Sequence, residues 1–343
     1  MKTLDAPAGG FRSIAVLRLS SLGDVVLTLP VVHALRAAFP AARIVYWVKE
    51  EFADMVRFDP ALDHVRVLER DARRIEDLVA MGAEIEDHDL IVDLHGNART
   101  RILTFRQKAP VLRAPSWRVR RARWVHARWS RPGPVPPALA RYAAALAPLG
   151  IAVPGPPRVA VDGAAAAWAA AWAAVWPGAA PILAFCPGAK HPTKRWPEAH
   201  WLELLARARA GGRRVVCLSL AAERDALPGL AAAVEADPGA RWVIEPLARL
   251  ASLLGLCERA VTGDSGLMHL AAARGVPVVA MFGSTSPVLG FAPAGEGHAA
   301  LCRNEPCQPC TLHGRARCPL GHFRCMVALE PETVARAAGL LAD

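Results

Sequence analysis

The apolar positions of this chain fall into short unbroken runs separated by longer stretches of helical period, and the arrangement occurs twice. Ile14 to Leu19 is the first run, Ser20-Ser21-Leu22-Gly23 reads as a turn, and a second apolar segment extends from Asp24 to Arg36. A strand, a Gly-containing turn and a helix make the first half of a βαβ unit. Further strand-type runs at 43–48, 64–68 and 89–94 alternate with helical patterns, which predicts a parallel sheet with helices on both faces. The alternation restarts at 182–189. It continues through a helix to about Ala210, strands at 214–220 and 241–244, a helix at 247–257 and a strand at 259–262. The helix GLMHLAAARG, the strand VPVVAMFG and a last helix from Pro331 to Leu341 complete the second half.

Between the halves, 131–137 and 153–158 are rich in Pro and Gly and break regular structure. Trp168, Trp172 and Trp176 recur at i, i+4, i+8 in an alanine background, on one face of a helix that Asp162 would cap. That stripe is too short to cross a bilayer and reads as interdomain packing. The division is expected near Pro177-Gly178, giving an N-terminal domain over 1–177 and a C-terminal domain over 178–343.

Composition narrows the class. The 343 residues suit two domains, and 53% hydrophobic with 21% charged residues describes a folded globular chain. No clean apolar stretch is long enough for a transmembrane helix, and MKTLDAPAGGFRS lacks the apolar core of a signal peptide, so a cytoplasmic protein is expected. The net charge of +10 favours anionic partners. Seven arginines (113, 118, 120, 121, 123, 128, 131) crowd together, interleaved with Trp117, Trp124 and Trp129. Single-stranded nucleic acid, anionic lipid or phosphorylated glycan, and a merely solvated basic face are the alternatives. No nucleic-acid signature accompanies the segment. An anionic glycolipid therefore ranks first, with Arg120 and Arg121 as acceptor contacts.

Polar residues gather where strands end, the edge at which open α/β sheets bind ligands. Asp24 stands at the mouth of the first strand, as a helix cap or as a catalytic carboxylate. After the run at 89–94 come His95, Gly96, Asn97 and Arg99, of which Asn97 and Arg99 are taken as acceptor contacts and His95 could equally be structural. In the second half, Pro187-Gly188-Ala189 precedes Lys190, His191, Lys194 and Arg195, a Gly turn with cations suited to phosphate. GxxxxGK[ST] is absent, so this is not a Walker loop, and without GxGxxG nicotinamide dinucleotide binding has little support. Gly263-Asp264-Ser265-Gly266 opens a helix with His269 one turn in. Ser265 and the free amides there can hold a diphosphate, while Asp264 suits a sugar hydroxyl or a cap. Glu223, just past another strand, suits a ribose.

Together, RLSSLGDVVLTLP, PGAKHPTKRWPEAHW and VTGDSGLMHLAAARGVPVVAMFGSTSP resemble glycosyltransferase family nine, the ADP-heptose:lipopolysaccharide heptosyltransferases. The resemblance covers nearly the whole chain. It implies the α/β GT-B fold, two Rossmann-like domains with a cleft between them, and a last helix (about 331–341) that crosses back to the first domain. It implies Asp24 as general base, Lys194 as diphosphate contact, Asp264, Ser265, Gly266 and His269 as the donor motif, and Glu223 as nucleoside contact. Ser21, Gly23 and Gly188 are counted with the donor-binding residues. Ala189 and Lys190 stand where some members carry two threonines, which leaves the subtype open. The implied chemistry is inverting heptose transfer from ADP-heptose to the lipopolysaccharide inner core, at the cytoplasmic face of the inner membrane, without cofactor. No DxD pair lies beside the donor turns, in keeping with metal-independent transfer. Another nucleotide-sugar donor, an epimerase on the same fold and a non-catalytic binding protein are the alternatives.

Five cysteines crowd into 302–325. Cys307, Cys310, Cys318 and Cys325 read C-x2-C-x7-C-x6-C, with His313 or His322 as substitutes. That spacing can bind structural zinc. Packed reduced thiols are the first expectation and zinc the second.

Overall fold

The computed structural model describes residues 3–68, 79, 82–85, 87–127, 130, 132–176 and 178–341. The chain forms two compact units. One comprises 1–116 and 138–161, the other 117–137 and 162–343.

The first unit is built on β1 (Ser13–Leu17), β2 (Arg43–Lys49), β3 (His64–Leu68), β4 (Leu90–Asp93) and β5 (Val111–Arg113). They pair in parallel in the order β3-β2-β1-β4-β5. The central strand β1 is buried from Ile14 to Leu17, which is why it reads as an unbroken apolar run rather than an alternating one. Its register sets Leu17 beside both Trp47 and Asp93, so three strands end together and their polar continuations share one edge. The helix Leu22–Ala38 follows with most of its residues buried. The short helix Ala138–Ala143 packs against it, bringing the return segment back into this unit.

The second unit carries β6 (Ile182–Cys186), β7 (Arg214–Leu218), β8 (Ala240–Val243), β9 (Arg259–Gly263), β10 (Val278–Phe282) and β11 (Ala299–Cys302). These too are all parallel, in the order β11-β10-β9-β6-β7-β8. Phe185, Trp196 and Trp201 anchor its core, with ring centroids 5.3 Å apart between Trp196 and Trp201. Trp196 also donates its indole N–H to the Leu329 carbonyl at 2.8 Å, so it packs without leaving a polar atom unpaired.

Two sequence expectations about organisation take a different form here. The tryptophan-bearing helix Gly163–Ala174 lies in the second unit, ahead of the division expected near residue 177. Trp168 and Trp172 on this helix, and Trp176 just beyond its end, meet arginines of that unit: Arg249 stacks on Trp168, and Arg241 on both Trp172 and Trp176. The stripe thus packs inside one unit. The final helix Pro331–Ala337 buries Val334 and Ala335 in the core of the second unit, against the helix Glu198–Ala210, where the resemblance had it crossing back to the first domain.

Candidate active site

In the first unit the chain leaves β1 at Arg18, a charge at the end of an apolar strand. Arg18 is only 9% exposed and is held three ways. Its Nη1 donates to the Leu94 carbonyl at 2.7 Å, its Nη2 lies 2.6 Å from Asp24 Oδ2, and its guanidinium stacks on the Tyr142 ring. Asp24 Oδ2 also accepts from the Ser21 hydroxyl at 2.9 Å and, more loosely, from the Ser21 amide at 3.4 Å. Oδ1 accepts from the Tyr142 hydroxyl at 2.5 Å. Burial alone would raise the proton affinity of Asp24. The charge of Arg18 and the bonds from Tyr142 and Ser21 outweigh it and hold the carboxyl at about 2. Asp24 is therefore an ionised, clamped carboxylate as well as a helix cap. Ser21 spends its hydroxyl on it, and Gly23 is buried one residue into the helix.

The neighbouring strand end is shaped by Asp93, which is fully buried. Its Oδ1 accepts the amides of His95 (3.0 Å) and Gly96 (2.8 Å), and its Oδ2 faces Arg113 Nε at 3.4 Å. Gly96 takes φ +62°, the left-handed region that favours glycine. His95 lies in the fields of Arg18, Asp93 and Asp24. Burial first, then Arg18, lowers its value to about 4, so the ring is neutral at pH 7. Asn97 caps the helix Ala98–Leu103, its side chain accepting from Thr100 N at 3.1 Å, and Arg99 follows within that helix.

The second unit gathers the remaining candidates on three adjacent strands, because β6 pairs with β7 on one side and β9 on the other. Gly188 follows β6, and a Cβ placed there would lie 2.1–2.6 Å from the carboxylate of Glu223, which follows β7. Glu223 lies against the Gly188 backbone and accepts the Leu220 amide at 3.0 Å. Asp264 follows β9. Lys194 Nζ stands 2.8 Å from Asp264 Oδ2, and Thr285 Oγ1 donates to that oxygen at 2.6 Å. The loop bearing Lys194 passes so close that a Cβ on Gly263 would lie 2.8 Å from the Lys194 carbonyl. Ser265 precedes the helix Gly266–Ala273 without a side-chain cap, its hydroxyl 3.2 Å from Thr262 Oγ1, and His269 is buried in that helix. Sequence reading left Lys194 free for a ligand. The structure pairs it with Asp264.

Comparison with known proteins now bears on this geometry. Residues 80–319 match the family described as Glycosyltransferase family 9 (heptosyltransferase). The chain belongs to glycosyltransferase family 9. It is 30% identical to lipopolysaccharide heptosyltransferase 1 of Pseudomonas aeruginosa over 335 residues, covering 87% of this chain and 85% of that one. In fold it is similar to a family 9 glycosyl transferase from Veillonella parvula, with a TM-score of 0.78, 22% identity and 96% of each chain covered. It is also similar to E. coli ADP-heptose lps heptosyltransferase II, with a TM-score of 0.71, 20% identity and coverage of 95% and 97%. The fold is α/β, with two parallel-sheet domains of the GT-B type.

In this family 9 chain, sequence reasoning missed Arg18, Asp93, Tyr142 and Thr285. A lone arginine closing an apolar strand was a visible signal for Arg18. Tyr142 had none, because it meets Asp24 from 118 positions away. Arg120 stacks on Trp117 and donates to the Gly133 carbonyl, and Arg121 stacks on Phe291, within the basic helix Arg118–His126. Residues 128, 129 and 131 of that basic segment lie outside the described residues. Among the described residues no helix is long and apolar enough to cross a membrane.

Cys307, Cys310, Cys318 and Cys325 line one small cavity with His322, and none forms a disulfide. Among the described residues no three His, Cys, Asp or Glu side chains are grouped so as to hold a metal ion. The segment props the turn that follows β10. Gln308 donates to the carbonyls of Phe282, Gly283 and Thr285, and the Cys310 amide donates to Ser284.

Proposed function

We propose that the chain transfers a heptose from ADP-heptose to the inner core of lipopolysaccharide, with inversion at the anomeric carbon. The observation that carries this reading is the placement of Gly188, Glu223 and Asp264 after three adjacent parallel strands, in a chain of family 9. The Pseudomonas relative is named for heptose transfer to lipopolysaccharide, and the E. coli structure for ADP-heptose.

In the second unit, Glu223 takes the ribose hydroxyls, and Ser265 with the first amides of the helix Gly266–Ala273 takes the diphosphate. The diphosphate competes with Asp264 for the Lys194 ammonium, and Thr285 keeps Asp264 partnered when Lys194 turns away. In the first unit, Asp24 receives the proton of the acceptor hydroxyl as that oxygen bonds to the anomeric carbon. The bond from that carbon to the phosphate oxygen breaks, and ADP leaves with the bonding pair. Charge grows on the leaving oxygen, where Lys194 and the helix amides stabilise it without a metal ion.

The stretch between Asp93 and Asp162 is basic. It holds no Asp or Glu and carries the acceptor candidates of both units, Asn97 and Arg99 in the first, Arg120 and Arg121 in the second. That balance suits an anionic glycolipid and work as a peripheral protein at the cytoplasmic face of the inner membrane.

The test is incubation with ADP-heptose and an inner-core acceptor, read by mass spectrometry, together with thermal shifts by ADP, UDP and GDP. Gain of one heptose and stabilisation by ADP are expected, with activity retained in EDTA. Stabilisation by UDP or GDP but not ADP would remove the heptosyl donor.

A further inference from the structure

The two carboxylate oxygens of Asp24 are not equally engaged. Oδ2 holds the Arg18 guanidinium at 2.6 Å, the Ser21 hydroxyl at 2.9 Å and, more loosely, the Ser21 amide at 3.4 Å, which uses both of its lone pairs. Oδ1 has one partner among the described residues, the Tyr142 hydroxyl at 2.5 Å. The open lone pair of the carboxylate therefore lies on the oxygen that Tyr142 holds. The Asp24 side chain is 17% exposed, so a ligand has access to it. Tyr142 can only donate in this contact. Burial first, then the Asp24 charge, push its proton affinity up, and the phenol keeps its proton at any working pH. Its ring also lies 5.2 Å from the Arg18 guanidinium, which Leu94 and Asp24 hold from other sides. One side chain thus touches both members of the ion pair, the carboxylate with its hydroxyl and the guanidinium with its ring. The helix Ala138–Ala143 that carries it packs on the helix Leu22–Ala38 that carries Asp24, within the first unit. Phenylalanine would fill that contact equally well, so packing gives no reason for the hydroxyl.

We propose that Tyr142 is a positioning residue for the transfer, and that Asp24 Oδ1, the oxygen it holds, takes the proton of the acceptor hydroxyl. This rests on Asp24 acting as the base. Arg18 and Ser21 fix one oxygen and leave the carboxylate able to turn about it. The Tyr142 bond to the other oxygen sets the plane of the group and aims its open lone pair. The acceptor O–H bond breaks with its proton going to Oδ1 and its electron pair to the new bond at the anomeric carbon. The phenol proton stays on Tyr142 throughout.

The experiment is a double-mutant cycle on heptose transfer to a soluble inner-core acceptor, with the wild type, Tyr142→Phe, Asp24→Asn and the double variant. Tyr142→Phe keeps the ring beside Arg18 and removes the hydroxyl alone. It should lower kcat about 10–100-fold and leave the KM for ADP-heptose and for the acceptor within about twofold, with the thermal shift by ADP unchanged. Added to Asp24→Asn it should cost nothing further, because the hydroxyl acts through that carboxylate. A folded Tyr142→Phe enzyme with the wild-type kcat would overturn the proposal. So would an equal loss from Tyr142→Phe in the presence and absence of the Asp24 carboxylate, which would make Tyr142 a prop of the fold. Either result in an enzyme that depends on Asp24 removes Tyr142 alone. A wild type that transfers no heptose, or an Asp24→Asn variant as fast as the wild type, removes the reading beneath it.

Discussion

Arg18 Nη2 stands 2.6 Å from Asp24 Oδ2, a buried ion pair at the mouth of the first sheet. The pair keeps Asp24 ionised at every working pH, because its value of about 2 lies far below neutrality. Asp24→Asn should lower kcat by roughly 10²–10⁴ while ADP binding stays near normal. The variant also strands the Arg18 charge, which costs about 3–5 kcal/mol for a buried pair, so rates belong well below its reduced Tm. A folded Asp24→Asn enzyme with near-normal kcat would take Asp24 out of the role.

Gly188 offers a milder probe of the donor side. An alanine Cβ there would overlap the Glu223 carboxylate, the end of a flexible side chain that can swing away. Gly188→Ala should therefore change Tm little and weaken ADP about as much as Glu223→Gln, with the two effects less than additive. Calorimetry with ADP reads this directly. Full additivity would separate Gly188 from Glu223.

Arg120 and Arg121 carry the proposal of an anionic acceptor. Reversing both to Glu should raise the acceptor KM and abolish salt-sensitive binding to vesicles containing anionic lipid, with ADP affinity unchanged. Unaltered acceptor kinetics and vesicle binding across a salt titration would return the segment to an ordinary solvated face.

His33 gives stability a pH dependence remote from the candidate site. The hydrogen bond to Asp59, 2.8 Å from His33 Nε2, and then the Asp59 charge raise the imidazole above its ordinary value against partial burial. A raised histidine stabilises the fold fully below about 6.5, the unfolded value, and loses that contribution as pH rises through the folded one. Tm should thus fall between pH 6 and pH 8.5 by more in the wild type than in His33→Gln. Parallel melting curves for the two would remove the linkage.

The sequence by itself determined the strands and the turns that follow them. β1, β4, β6 and β10 are buried on both faces, so each must be a short apolar run, and a run ending in Gly and polar residues marks a strand's carboxyl end. Parallel strands align those ends on one edge, which made Gly188, Glu223 and Asp264 legible as one group before any coordinates. The edge strands β5 and β11 were not legible, because three or four residues are held extended by the neighbouring strand more than by their own pattern. Tertiary structure alone decided which unit took 117–137 and the tryptophan helix, since only packing tells one Ala-rich or Arg-rich helix where to lie. It alone brought Tyr142 onto Asp24, paired Lys194 with Asp264, and set Asn97 and Glu223 as caps of their own helices. Local spacing announces that a carboxylate stands at a strand end. Its partners come from distant segments, and they fix its proton affinity.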